Sequence, residues 1–377
     1  HCPKKKTGET QMKSVEVRLG RRSYNIHIGK NITNSIPSRL KISGGKTPVF
    51  VVTNAKINSL HGKKLKKAIE PLSKKTLFYE VPDSEKAKSF PVYARTIRRL
   101  ARFSKKQNPI VFAFGGGVIG DLTGFVASTY RRGVPYIQIP TTLLAQVDSA
   151  IGGKVAIDIK EAKNIVGNFY QPKMVLCDTY FLKTLPKSEL QNGLAEIVKY
   201  GIIRDRTLFA FLEKNIQKVL RLDNAAVEYT IFKCCTIKAR IVEKDEFDTM
   251  RLRAILNFGH TIGHAIEAAS RYSRSIPHGQ AVAAGMVMAS FIALDLGRIR
   301  KEDHDRICRV LKKAVPKASL SQLKSGDILR AVSYDKKFIN GTNSFILAKR
   351  IGCAESVINV PEALIKKAIG EYTAERG

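Results

Sequence analysis

The sequence predicts an α/β domain followed by a mostly helical one, and three observations carry that prediction. Short apolar runs alternate with helical patterns through the first half, which argues for a parallel sheet covered on both faces. A triple glycine, Gly115–Gly116–Gly117, stands between one such run and a helical segment. From about Ser188 the apolar residues recur at three and four, as in Leu190, Leu194, Ile197 and Val198, and few strand signals remain. The expected division is a flexible tail over 1–13, an α/β domain over 14–185 and a helical domain over 186–377.

In chain order, Val15, Val17 and Leu19 alternate with polar residues, and Tyr24, Ile26 and Ile28 do the same after Gly20. That is a hairpin with one buried face. Pro48–Thr53 reads as a buried strand, Ile57–Ile69 as a basic helix, Thr76–Val81 as a strand and Pro91–Phe103 as a helix. Ile110–Phe114 is a strand, Val118–Thr129 a helix, and Tyr136–Ile139 a strand closed by Pro140. The helical half reads as Arg206–Glu213, Ala225–Glu243, Leu252–Ser270, Gly279–Leu296, Lys301–Val315 and Pro361–Thr373, with Phe345–Leu347 its best strand signal.

Composition narrows the class. The 377 residues are enough for two domains, and the 44% apolar content is that of a globular protein. No run of about 18 apolar residues predicts a membrane span. The polar start, HCPKKKTGETQMKS, lacks the apolar core of a secretory signal, so a cytoplasmic protein is expected. Six cysteines show no C-x-x-C pairing, which suits reduced thiols. The net charge of +33 fits a nucleic-acid binder, a cleft that steers an anionic substrate, or a lysine-rich composition without specific meaning. Basic residues spread along the whole chain, with no aromatic-interleaved stripe, favour the last.

Strand, glycine turn, helix and strand over 110–139 form the βαβ unit that brings a pyrophosphate to a helix N-terminus, so the first domain is Rossmann-like. The spacing is not G-x-G-x-x-G, and three glycines alone also suit a tight turn. Polar punctuation recurs at the expected strand ends: Thr53–Asn54, Asp83–Ser84–Glu85, Gly115–Gly116–Gly117 and Thr141–Thr142. Each alone is ordinary turn chemistry; together they line one rim. In the second half His260 and His264 lie four apart on one helical face, with His278 and Glu196 elsewhere. Thr261 rules out the H-E-x-x-H zinc-protease helix. Each histidine alone also suits a hydrogen-bonded core position, and spacing does not show that they converge.

The motifs are more specific together. Gly115–Asp121 with Leu122–Phe125, Arg131–Gly133, Gln138–Ser149 and Gly152–Lys154 resemble the 3-dehydroquinate synthases, which are sugar-phosphate cyclases, and the resemblance covers most of the chain. It implies an active site in the cleft between the domains, NAD, one divalent metal (Zn or Co) and a homodimer. Glu196, His260 and His278 match the three metal ligands. Asn54, Asp83, Glu85, Lys88, Gly115, Gly116, Gly117, Val118, Asp121, Thr141, Thr142, Lys154, Lys163, Phe181, Leu182 and Thr184 match cofactor contacts. Lys154, Lys199, Lys238, Arg253 and one of Lys336 and Lys337 match the cations that hold a substrate carboxylate and phosphate; Asp148, Asn164 and Asn257 match hydroxyl-binding groups. His264 is left for proton transfer, and Arg132 matches an arginine that reaches the neighbouring subunit's site. Asn54 stands where some relatives carry Asp, Ser84 where glycine is usual, Ala150 where Ser is common, and the loop 270–277 is slightly longer than usual.

The implied reaction converts 3-deoxy-arabino-heptulosonate 7-phosphate to 3-dehydroquinate and phosphate, with NAD reduced and reoxidised in one cycle. Three alternatives compete. Another sugar-phosphate cyclase would keep the NAD and metal residues but differ around the substrate. A metal-dependent polyol dehydrogenase would need no phosphate-binding lysines. A nucleic-acid-binding protein would bind in a salt-sensitive way.

Overall fold

The computed structural model describes residues 12–40, 47–271, 275–320, 322–333 and 343–374. They form two compact units: residues up to Leu185 with Val227–Glu246, and Pro186–Ala226 with Phe247 onward.

The first unit is built on a seven-stranded sheet: β1 (Lys13–Val17), β2 (Tyr24–Gly29), β3 (Val49–Thr53), β4 (Thr76–Glu80), β5 (Ile110–Gly115), β6 (Tyr136–Pro140) and β9 (Met174–Asp178), in the order β1-β2-β9-β6-β5-β3-β4. β1 pairs antiparallel with β2, as the alternating pattern predicts; the other pairings are parallel. β9, a fully buried five-residue run, was not expected from the sequence, yet it joins the hairpin to the rest of the sheet. A separate hairpin, β7 (Lys154–Ile157) with β8 (Val166–Phe169), was also not expected.

Helices α1 (Ile36–Leu40), α2 (Ala55–Ile57), α3 (Lys63–Ile69), α4 (Phe90–Ser104) and α5 (Gly117–Thr129) connect the strands. The predicted basic helix over 57–69 is continuous from Ala55 but carries a π-turn at Asn58–Gly62. One apolar cluster gathers Phe50, Val111, Leu122, Val126 and Tyr136; a second, Val51, Leu65, Phe112, Ile137, Leu176 and Phe181. Burial on both faces explains why the central strands read as unbroken apolar runs.

Within the sheet, β4-β3-β5-β6-β9 follows the doubly wound order 2-1-3-4-5. The chain leaves β3 towards β4 and returns to β5 on the other side, so the topological switch point lies between β3 and β5. Open α/β sheets bind ligands beyond the strand ends at that point. Thr53–Asn54 and Gly115–Gly117 are the residues at those ends.

The second unit holds α6 (Lys187–Ile203), α7 (Arg206–Leu220), α9 (His260–Ala269), α10 (His278–Asp295), α11 (Lys301–Ala314), α12 (Ser325–Ser333) and α13 (Glu362–Ala374), with a hairpin of β10 (Ser344–Arg350) and β11 (Cys353–Ile358). α10 touches α6, α9, α11 and α13, and its apolar residues run all round it, as a central helix requires.

Two expectations change. The division into consecutive domains does not describe α8 (Asn224–Lys244), whose larger part belongs with the first unit. Its side chains explain why: the Cys235 thiol donates to the Gln146 carbonyl at 3.4 Å, and the Lys238 ammonium donates to the Asp148 carbonyl at 2.8 Å. The single helix over Leu252–Ser270 is two elements, a 3₁₀ segment at Leu252–Asn257 and then α9. Gly259 separates them at φ 77°, and a Cβ there would meet Met286 at 2.4 Å. That left-handed residue restarts the helix at His260.

β1 begins at Lys13, inside the predicted tail; residues 1–11 lie outside the described residues. No helix among the described residues is long and apolar enough to cross a membrane. None of the five described cysteines is in a disulfide.

Candidate active site

In the first unit, β5 ends at Gly115 and α5 begins at Gly117, with Gly116 between them. The turn is glycine by steric need. A Cβ on Gly115 would lie 2.6 Å from Ile119, and one on Gly117 would lie 2.9 Å from the Ser149 hydroxyl. No side chain caps α5, so its first N–H groups are left for a ligand. Thr141 follows β6 and donates its N–H to the Gly115 carbonyl at 3.0 Å. The hydroxyls of Thr53, Thr141 and Ser149 are buried without a hydrogen-bond partner. Buried polar groups are rarely left so, and here they gather where a nucleotide would supply acceptors.

Around this turn, Asn54 is used at both ends: Oδ1 accepts from the Ile57 N–H at 2.8 Å and Nδ2 donates to Asp83 at 2.7 Å. Lys88 is buried, and its ammonium lies 2.8 Å from Asp121, 3.7 Å from Glu85 and against the Asn164 side-chain oxygen. Burial opposes the Lys88 charge, but Asp121 and then Glu85 hold its pKa above the ordinary value. Burial raises Asp121 to about 6 despite Lys88, although its side chain keeps 23% exposure, which moderates that shift. Burial thus outweighs the ion pair at Asp121 but not at Lys88.

Phe181 and Leu182 differ from the other expected cofactor residues. Both side chains are buried, and Phe181 packs edge-on against Phe114 at 5.3 Å, so only their backbone is left to face a ligand. Thr184 shares a hydrogen bond with His61 at 2.8 Å. Val118 is half-buried in the first turn of α5, and Thr142 accepts from the Ala145 N–H at 3.2 Å. Lys163 and Lys154 are exposed.

Of the expected substrate residues in this unit, Asp148 and Lys238 are brought together by an ion pair. Asp148 sits in a π-turn, Ala145–Ser149, of the kind that often marks functional sites. Arg132 is exposed, with a left-handed backbone at φ 63°.

The second unit brings the three expected metal ligands together. Glu196 lies inside α6, His260 opens α9 and His278 opens α10. One ligand atom from each falls within 4.8 Å of the others. The Nε2 atoms of His260 and His278 stand 3.4 Å and 3.6 Å from Glu196 Oε1. A tetrahedral ion with legs of about 2.1 Å has ligand–ligand edges of about 3.4 Å, so the separations fit. Each imidazole also has its Nδ1 occupied: His260 at the Phe258 carbonyl, 3.1 Å, and His278 at Glu267, 3.1 Å. With Nδ1 as donor, His260 turns an Nε2 lone pair towards the carboxylate, and His278 does the same once its Nε2 proton is displaced, the tautomer that a metal needs.

Electrostatics agree. Glu196 is fully buried, and neither oxygen accepts a well-formed hydrogen bond. Burial resists its ionisation, but Lys199, His260 and His278 hold it well below the usual carboxylate range. Burial lowers His260 to about 3, so it is neutral. His278 moves the other way, to about 10: burial is outweighed by Glu196 and Glu267, between which it lies. A divalent cation would replace that proton, because ligation requires neutral imidazole.

Beside the triad, Lys199 is 1% exposed and ion-paired with Glu196 one turn away. His264 is exposed, its ring 5.3 Å from His260 and 6.4 Å from His278, near the ligands but outside the group of three. Arg253 is buried and Asn257 half-buried on the 3₁₀ segment before α9. Lys336 and Lys337 lie outside the described residues, as does part of the loop 270–277. The sequence reading missed Glu267 and Asn192; it set Thr53 on the expected rim and Ser149 within a motif but gave neither a contact of its own. For Glu267 a signal existed, since it lies seven residues after His260 and three after His264 on one helical face.

Residues 78–192 match a family described as 3-dehydroquinate synthase N-terminal, and residues 193–338 match 3-dehydroquinate synthase C-terminal. The chain belongs to the 3-dehydroquinate synthase family. A 3-dehydroquinate synthase from Vibrio atlanticus is 41% identical over 359 residues, 95% of this chain and 98% of that one. One from Desulforamulus reducens is 41% identical over 361 residues, 96% of this chain and all of that one. Among solved structures, a 2-epi-5-epi-valiolone synthase from Streptomyces hygroscopicus with NAD+ and Zn2+ bound has a TM-score of 0.84 and 25% identity, covering 95% of this chain and 99% of that chain. The sequence expectation of this family and of an α/β sheet with a helical second half agrees with these findings.

Proposed function

We propose that the protein is an enzyme that converts 3-deoxy-arabino-heptulosonate 7-phosphate to 3-dehydroquinate and phosphate. The observation that carries this reading is the convergence of Glu196, His260 and His278, in a chain 41% identical to 3-dehydroquinate synthases over nearly its whole length. Glu196, His260 and His278 would hold one divalent metal. The glycine turn at 115–117, with Thr53, Thr141, Ser149, Glu85, Lys88 and Asp121 around it, would hold NAD. When bound, the metal supplies Lewis-acid polarisation of a substrate hydroxyl, and NAD accepts and returns a hydride.

The remaining work falls to the chain's own residues. Neutral His260 donates a lone pair rather than a proton. His264, exposed and with its ring 5.3 Å from His260, would take a proton from a substrate hydroxyl and return it. Lys199, Arg253, Lys154 and Lys238, with Lys336 or Lys337, would hold the carboxylate and phosphate of a doubly anionic substrate through charge-assisted hydrogen bonds. Asp148, Asn164 and Asn257 would orient its hydroxyls. The Lys238–Asp148 pair supports this for the first unit, since a substrate anion and hydroxyl can each take one partner of an existing ion pair. We further propose a homodimer in which Arg132 serves the neighbouring subunit, supported by its exposed guanidinium on a left-handed backbone, a conformation that non-glycine residues adopt at a cost.

The test is a panel of sugar phosphates, including heptulose 7-phosphate and glucose 6-phosphate. Phosphate release from 3-deoxy-arabino-heptulosonate 7-phosphate alone supports the reading; release only from another member assigns a different cyclase.

A further inference from the structure

We propose that Glu267 is a positioning residue for the metal centre, fixing the ring of His278 so that its Nε2 lone pair faces the ion. This rests on the reading that Glu196, His260 and His278 hold a metal. The two imidazoles are oriented by different devices. His260 donates Nδ1–H to the carbonyl of Phe258, a backbone group set by the left-handed turn at Gly259. His278 donates Nδ1–H to a side chain, Glu267 Oε1 at 3.1 Å, on α9.

The backbone beneath His278 is fixed separately. Asn192 on α6 accepts the Gly279 N–H at 2.9 Å, and a Cβ on Gly279 would meet the Asn192 backbone at 2.5 Å, so the first turn of α10 is held tightly against α6. That contact places the Cα of His278 but leaves the ring free to turn about its side-chain bonds. Glu267 supplies the missing restraint and selects the tautomer. His278 is also the most exposed of the three ligands, at 31% of its side chain against 11% for His260 and 0% for Glu196. It is therefore the ligand by which a metal would leave, and Glu267 sets how firmly it is held.

The experiment measures zinc affinity by competition with a chromophoric chelator for wild type, Glu267→Gln and Glu267→Ala, together with thermal unfolding of the metal-free proteins. Outer partners of ligating histidines are worth about 10–100-fold in metal affinity. The expected result is weaker binding by about that factor in Glu267→Ala, a smaller loss in Glu267→Gln, which keeps an acceptor oxygen, and a shifted visible spectrum of the cobalt forms, with little change in metal-free unfolding temperature. Zinc affinity in both variants within twofold of wild type overturns the proposal. So does weakening that only follows a loss of metal-free stability. If Glu267→Ala does not fold, the near-isosteric Gln variant decides. A wild type that binds no zinc refutes the metal site itself; a wild type that binds one equivalent beside unaffected variants refutes the role of Glu267 alone.

Discussion

Replacing Glu196 with Ala tests the charge balance of the metal centre apart from catalysis. Glu196 is fully buried and Lys199, one turn along α6, is 1% exposed; the two are ion-paired. Removing the carboxylate leaves the ammonium in the same low-dielectric setting without its nearest anion, and also withdraws the group that holds His278 protonated in the metal-free protein. Breaking a buried pair from one side costs about 3–5 kcal/mol, whereas replacing both partners by apolar groups is often near neutral. Glu196→Ala is thus expected to lower metal-free stability by roughly that amount, and Glu196→Ala/Lys199→Met to recover most of the loss. Both variants should fail to retain zinc. Urea unfolding of chelator-treated protein reads the first effect and zinc content after dialysis the second. Equal stability of wild type and the single variant, or a double variant less stable than the single one, would refute the reasoning.

Three further outcomes are expected. Gly117→Ala brings a Cβ to 2.9 Å from the Ser149 hydroxyl in the proposed pyrophosphate turn, and should weaken NAD binding about tenfold or more, about 1.4 kcal/mol; calorimetry that finds unchanged affinity counts against the NAD site. Gly259→Ala combines φ 77° with a Cβ 2.4 Å from Met286, and should lower stability by about 2 kcal/mol or more, read by urea midpoint. Burial raises Asp121 to about 6 from an ordinary 3.8, so the folded state binds the extra proton between those values and its contribution to stability falls as pH rises from about 4 to 6. Relative to Asp121→Asn, the wild type should lose about 1–2 kcal/mol over that window, discounted for its partial exposure; a pH-independent difference would contradict the shift.

Much of the first unit was legible because its physics is local. The alternation around Val15 and Ile26 specifies a hairpin, but its wet face holds only along β1, because β2 lies between β1 and β9 and buries His27 as well; the unbroken runs at 49–53 and 110–115 specify strands buried on both faces. β9 escaped because Met174–Cys177 supplies only four apolar residues before Asp178, a run too short for periodicity to distinguish from a buried helical turn. α8 was legible as a helix but not in its allegiance, which depends on where Cys235 and Lys238 find Gln146 and Asp148 in space. The break before α9 depends on the close approach of Met286 to Gly259, a contact made 27 residues away in the chain. At the metal centre the ligand types came from resemblance, since three residues on three helices share no spacing that a sequence displays. Glu267 went unread although it shares a helical face with His260 and His264, because a carboxylate on a helix most often faces water and its partner, His278, opens a different helix.

The central claim is tested most directly by following inorganic phosphate and NADH together while the zinc-loaded protein acts on 3-deoxy-arabino-heptulosonate 7-phosphate with catalytic NAD. The account predicts one phosphate and one 3-dehydroquinate per substrate, no accumulation of NADH, and loss of turnover in Glu196→Ala. NADH that rises in step with substrate consumption, or phosphate release that persists in Glu196→Ala, would contradict it.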